Sequence, residues 1–197
     1  MLVVIFSSRI KEGLTFACTK HWNIDCYVDA DFVGLYNHED LQDPSSVKSR
    51  TGYVIMVGGC PIIWSSKLQT EITLSTMESE YVACSTACRA LIPLRELVIE
   101  LADAVNISAD DIAKMHTTIW EDNMGALTLA KLELPRMTPR SKHISIKYHW
   151  FHSFVTPDGP KKLDVVKIES KLQLADIFTK GVGPALFLPL RKMMMGF

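Results

Sequence analysis

The sequence predicts an α/β fold, a mixed sheet of five strands flanked by helices. Three observations carry this reading. Five short segments have the alternation or β-rich composition of strands, and four others have helical periodicity. The elements run strand, strand, strand, helix, strand, helix, helix, strand, helix, an order that suits helices on both faces of one sheet. The 197 residues are 48% hydrophobic and 22% charged, which is enough apolar material for one ordinary domain with a full core.

Residues 24–29 alternate, with Ile24, Cys26 and Val28 on one face and Asp25, Tyr27 and Asp29 on the other, so the first strand ends on an acidic face. A polar loop follows, with a turn at Asp43-Pro-Ser-Ser46. Residues 53–57 and 61–64, separated by Gly58-Gly59, then form a β-hairpin, and the three strands make an antiparallel meander. From Thr76 the period changes. Met77, Glu80, Tyr81, Cys84, Cys88 and Leu91 recur at helical spacing, and the pattern runs past Pro93 towards Leu101, with a kink expected at the proline. Residues 117–120 are a short strand that stops at Glu121-Asp-Asn123 and passes into a helix over 124–132. An aromatic helix over 144–154, a last strand over 163–168 and a short helix over 174–179, ended by Gly181, complete the order.

The net charge of −1 argues against uniform adhesion to polynucleotide, so a nucleic-acid partner has to be held by local basic patches. Five cysteines, with no C-x-x-C pair, suit a reducing compartment. Cys84 and Cys88, at i, i+4, read as small core residues rather than a metal pair. The apolar opening Met1-Leu-Val-Val-Ile-Phe6 lacks a charged lead and is too short for a signal core or a bilayer span. The expectation is a protein that is neither secreted nor membrane-bound, and that uses no small-molecule cofactor.

Four segments carry an acid at an element's end or beside a helix's apolar stripe: Asp29, Glu80, Asp122 and Asp176. Brought together without a counter-charge, such acids repel and resist ionisation. A divalent cation removes the objection. Mg²⁺ takes hard oxygen ligands, and two ions about 3.5–4 Å apart can activate water and stabilise the leaving oxygen of a phosphodiester. Each acid also has an ordinary explanation. Asp122 before Asn123 is a helix cap, Asp176 complements a helix start, and Asp29 is a strand-end turn residue. Asp31 shares the strand face of Asp29 and is an alternative to it. Glu80 is the hardest to explain otherwise, because it projects beside Met77, Cys84 and Leu91.

Seven blocks in series carry a resemblance. Cys26-Tyr-Val-Asp-Ala-Asp-Phe-Val-Gly34, Lys48-Ser-Arg-Thr-Gly-Tyr53, Trp64-Ser-Ser-Lys-Leu-Gln69 and Leu74-Ser-Thr-Met-Glu-Ser-Glu-Tyr81 are followed by Glu121-Asp-Asn123, then Lys142-His-Ile144 with Tyr148-His149, and lastly Ala175-Asp-Ile-Phe-Thr-Lys180. In order and spacing they resemble the RNase H region of copia-type LTR retrotransposon Pol polyproteins, from about Gly13 to the C-terminus. The resemblance implies an RNase H-like fold, with parallel strands added to the antiparallel three. It also implies Asp29, Glu80, Asp122 and Asp176 as catalytic carboxylates and ligands of two Mg²⁺ ions, with Mn²⁺ as a substitute.

The implied activity is cleavage of the RNA strand of an RNA:DNA hybrid during reverse transcription, beside a reverse transcriptase domain normally upstream in the same polyprotein. Lys48, Arg50, Ser65, Lys67, Asn123, Arg140, Lys142 and His143 are the candidates for holding nucleic acid, with Arg136 nearby. Each taken singly also reads as a solvated face. His149 and His152 read as packing or surface residues. The expected organisation is a remnant of an upstream connection over 1–12, the RNase H-like domain over 13–183 and a tail over 184–197. The expected location is intracellular, in a cytoplasmic virus-like particle or the nucleus. A catalytically silent RNase H-like relic or binding module is the rival reading. A transposase or integrase is disfavoured by the Ala175-Asp-Ile-Phe178 block and by the lack of a His/Cys zinc module.

Overall fold

The computed structural model describes residues 13, 16, 22–35, 43–131, 148–155 and 163–196. Strand β1, Ile24–Asp31, buries Ile24, Cys26 and Val28 completely, as the alternation predicts. It pairs antiparallel with β2, Arg50–Val57, which pairs antiparallel with β3, Cys60–Leu68. The β2–β3 turn is Gly58-Gly59, with φ of 57° and 82°. Two consecutive positive φ values match the twist of the hairpin, and glycine adopts them without a Cβ penalty. Strand β4, Thr117–Glu121, lies parallel to β1, and β5, Asp164–Lys167, lies parallel to β4. The sheet order is β3-β2-β1-β4-β5, three antiparallel strands with two parallel additions.

A parallel neighbour needs a crossover, and the long helix supplies it. Helix α1, Thr76–Ala104, starts on a reciprocal cap: Glu78 N donates to Ser75 Oγ at 3.2 Å, and Leu74 N donates to Glu78 Oε2 at 2.7 Å. Pro93 sits inside the helix without ending it. The buried face of α1, with Tyr81, Cys84, Ala87, Cys88 and Leu91, packs on Ile24, Cys26, Val28, Ile55 and Ile119. Each large aliphatic side chain buried there contributes roughly 1.5–3 kcal/mol. Helix α2, Ala109–Ala113, which the periodicity does not anticipate, precedes β4, and α3, Met124–Lys131, follows it. Cys26, Cys60, Cys84 and Cys88 are buried free thiols, so Cys84 and Cys88 serve as core.

The opposite face carries a smaller apolar cluster, in which Val54 and Met56 of β2 pack against Leu174, Ile177 and Leu190. Here the structure adds to the sequence reading. Helix α4, Asp176–Thr179, begins two residues later than expected, and it ends at Lys180 in an extended conformation rather than at a left-handed Gly181. The segment read as a tail contains helix α5, Pro184–Met195, anchored by the fully buried Leu190. The aromatic segment is a 3-10 helix at His149–Phe154, and residues 144–147 lie outside the described residues. Its Phe151 ring sits 5.4 Å from that of Tyr81, and His152 is buried. Among the described residues no helix is long and apolar enough to cross a membrane.

Candidate metal centre

The carboxyl ends of β1 and β4 and the first turns of α1 meet at one end of the sheet. Asp29 lies near the end of β1, Glu80 one turn into α1, and Asp122 immediately after β4. A carboxylate oxygen of each lies within 4.8 Å of the other two. Asp29 and Glu80 are buried and Asp122 is half-buried. Asp31 takes no part in this set. Its carboxylate lies over Gly34, so that a Cβ at position 34 would overlap it.

Local structure explains why Asp122 faces the cluster. Asn123, not Asp122, caps α3, its Oδ1 accepting from Gly125 N at 2.9 Å and Ala126 N at 3.1 Å. The Asp122 carbonyl accepts from Lys167 Nζ. The ordinary capping explanation therefore belongs to Asn123, and the Asp122 carboxylate is released to the acidic end of the sheet.

Burial raises the Glu80 carboxyl far above the usual range, and the negative charges of Glu121, Asp29 and Asp122 push it the same way. Its Oε2 is buried without a hydrogen-bond partner among the described residues. Glu121, on the same inward face of β4 as Ile119, is fully buried, and burial raises its carboxyl too. Its oxygens accept from Asn123 N at 2.8 Å and from Cys84 Sγ at 3.1 Å. An all-oxygen donor set with an orphaned buried carboxylate oxygen fits a hard divalent cation, which would relieve the desolvation and the mutual repulsion together.

Asp176 borders this set rather than joining it. It opens α4, is buried, and pairs with Lys180 Nζ at 2.9 Å, while the same ammonium lies 3.6 Å from Asp29 Oδ2. Burial raises the Asp176 carboxyl to about 6, against the opposing pull of Lys180. Thr179 Oγ1 donates to Asp29 Oδ2. Asp29 thus faces the carboxylate cluster on one side and an ammonium and a hydroxyl on the other. The sequence alone does not single out Glu121, Thr179 or Lys180. A period-two reading of Thr117, Ile119 and Glu121 marks the first as inward-facing, and the others sit inside the Ala175–Lys180 block.

Of the candidate nucleic-acid contacts, Lys48, Arg50, Ser65, Lys67 and Asn123 lie at this same end of the sheet. Arg50 is the register partner of Asp31, and Lys67 that of Thr51. Arg50 Nη1 donates to Ser66 Oγ at 3.5 Å, Ser66 Oγ donates to the Phe178 carbonyl, and the Ser65 hydroxyl bonds Tyr53. Asn123 is committed in part to its capping role. Arg136, Arg140, Lys142 and His143 lie outside the described residues, as does the side chain of His149.

No family model matches the chain. It is 32% identical over 156 residues to the Retrovirus-related Pol polyprotein from transposon TNT 1-94 of Nicotiana tabacum, a match covering 79% of this chain and 10% of that protein. It is 30% identical over 178 residues to the corresponding polyprotein from transposon RE2 of Arabidopsis thaliana, covering 90% of this chain and 10% of that one. The relatives matched over most of this chain are Pol polyproteins of copia-type retrotransposons. The chain spans about a tenth of the length of these Pol relatives. In structure it is similar to LC11-RNase H1, isolated from compost by a metagenomic approach, with a TM-score of 0.50 and 18% identity over 80% of this chain and 92% of that one. The fold of this chain is RNase H-like.

Proposed function

We propose that this chain is a divalent-metal-dependent endoribonuclease that cleaves the RNA strand of RNA:DNA hybrids, acting as the RNase H segment of a retrotransposon Pol polyprotein beside its reverse transcriptase. The observation that carries the reading is the convergence of Asp29, Glu80 and Asp122, with a buried unpartnered Glu80 oxygen, at the carboxyl ends of β1 and β4 in an RNase H-like sheet. The LC11 relative in structure is itself an RNase H1.

In this reading Asp29, Glu80 and Asp122 hold the cation, and Asp176 supplies a further carboxylate from the far side of Lys180. A bound Mg²⁺ supplies an activated water and charge stabilisation at the phosphate, for which no base contact is needed. The protein orients the carboxylates and excludes water from Glu80. Lys48, Arg50 and Lys67, at the entrance of the β2–β3 hairpin, meet backbone phosphates, so that affinity falls with salt while the cut position stays fixed. In this reading Ser65 and Asn123 sense the minor groove, where the 2′-hydroxyl distinguishes RNA from DNA.

The test is a substrate panel with Mg²⁺ present: an RNA:DNA hybrid labelled on either strand, single-stranded RNA, duplex RNA and duplex DNA. The reading predicts cleavage of the RNA strand of the hybrid alone. Equal cleavage of duplex DNA, or none of any substrate, contradicts it.

A further inference from the structure

The parallel ladder between β1 and β4 stops at Tyr27 and Trp120, and a side chain from elsewhere in the chain continues it. Gln173 is fully buried. Its Nε2 donates to the Val28 carbonyl at 2.8 Å and to the Trp120 carbonyl at 3.2 Å, and its Oε1 accepts from Ala175 N at 3.3 Å. Both amide protons are therefore used, one on each strand. Val28 immediately precedes Asp29, and Trp120 lies two residues before Asp122. Gln173 itself lies three residues before Asp176 and just after the 3-10 turn Ser170–Leu172.

We infer that Gln173 is a positioning residue for the metal centre, a latch that holds the diverging ends of β1 and β4 at the separation Asp29 and Asp122 need to share one cation. The inference rests on the cation reading above. The crevice where adjacent parallel strands part is where an open α/β sheet builds its sites, and its width is normally left to the loops. Here a planar amide spans it. A side chain with one donor would tie one strand only. An apolar side chain of equal volume would fill the space and leave two strand carbonyls buried without donors, which the strands would relieve by shifting. Because the backbone of Gln173 leads directly into α4, the same latch fixes Asp176 relative to both strands. Outer contacts of this kind, which orient ligands without touching the metal, typically set affinity by a factor of 10–100.

Mn²⁺ binding to the full chain, followed by electron paramagnetic resonance, tests the latch. The comparison is among wild type, Gln173→Met, Asp29→Asn and Leu163→Ala, the last a truncation of a buried core residue on another segment. Gln173→Met is expected to weaken Mn²⁺ binding by about 10–100-fold, while Leu163→Ala keeps the wild-type Kd and Asp29→Asn abolishes binding. If Gln173→Met does not fold, Gln173→Glu is read instead, since it keeps the shape and the acceptor for Ala175 but lacks the amide donors. Wild-type affinity in the Gln173 variant, or an equal loss in Leu163→Ala, overturns the latch while Asp29→Asn still upholds the cation site. Undiminished binding in Asp29→Asn overturns the cation site, and the latch with it.

Discussion

Asp29 and Gly52 are direct partners across the β1–β2 ladder, and the volume a side chain at position 52 would occupy is filled by α4. A Cβ on Gly52 would lie 2.6 Å from Thr179 Cγ2, 2.9 Å from Phe178 Cβ and 3.1 Å from the Ala175 carbonyl. The contact brings Thr179 and Lys180 onto Asp29. Gly52→Ala is therefore expected to push α4 outward, costing about 1–3 kcal/mol despite the better strand propensity of alanine. Urea unfolding measures the loss. An unchanged midpoint would show that α4 does not rest on this glycine.

The raised carboxyls of Glu80 and Glu121 set a pH dependence for the metal-free chain. A carboxyl whose pKa is raised by folding keeps its proton in the folded state after the unfolded state has lost it. Its contribution is intact below the unfolded value of about 4.5 and is lost as pH rises through the higher folded value. The melting temperature without metal is thus expected to fall from pH 5 to pH 8. Added Mg²⁺ or Mn²⁺ should restore it, and by more at pH 8 than at pH 5. A flat profile without metal, or a metal effect independent of pH, contradicts this electrostatic account.

Lys180 is a cation already seated between Asp29 and Asp176. Removing it in Lys180→Met leaves two buried carboxylates facing each other, but the lysine side chain is 43% exposed, so the cost is discounted to about 1 kcal/mol. The same change removes a positive charge from the edge of the metal centre. Divalent affinity is therefore expected to rise, as read by calorimetric titration with Mn²⁺. Weaker binding in Lys180→Met would place the lysine among the groups that assemble the site.

Much of the fold is legible in local pattern. Period-two alternation places Ile24, Cys26 and Val28 inward, and helical spacing places Tyr81, Cys84, Cys88 and Leu91 on one face, because burial on a single side of a regular element leaves that signature. The candidate site is legible differently. No periodicity distinguishes Asp122 from a cap or Asp29 from Asp31. The ordered blocks select them, and the structure gives the physical reasons: Asn123 takes the capping role, and Asp31 turns towards Gly34. Glu121, Gln173 and Gly52 act through partners 37 to 145 residues away in sequence, at Cys84, Val28 and Thr179, and no window of neighbouring residues contains such a relationship. Helix α5 is obscured by Pro189 and by exposed Leu188 and Met193, which blur its apolar stripe.

The proposed function has the carboxylates gathered around Glu80 hold a divalent cation for cleaving the RNA strand of a hybrid. Its most direct measurement is single-turnover cleavage of an RNA:DNA hybrid by wild type and Glu80→Gln, with Mg²⁺ and again with EDTA, after circular dichroism shows both chains folded. The expected result is Mg²⁺-dependent cleavage by wild type, none in EDTA, and a rate at least about a hundredfold lower in Glu80→Gln, which should melt at or above the wild-type temperature without metal at pH 8. A Glu80→Gln chain that cleaves at the wild-type rate, or cleavage that survives EDTA, would contradict it.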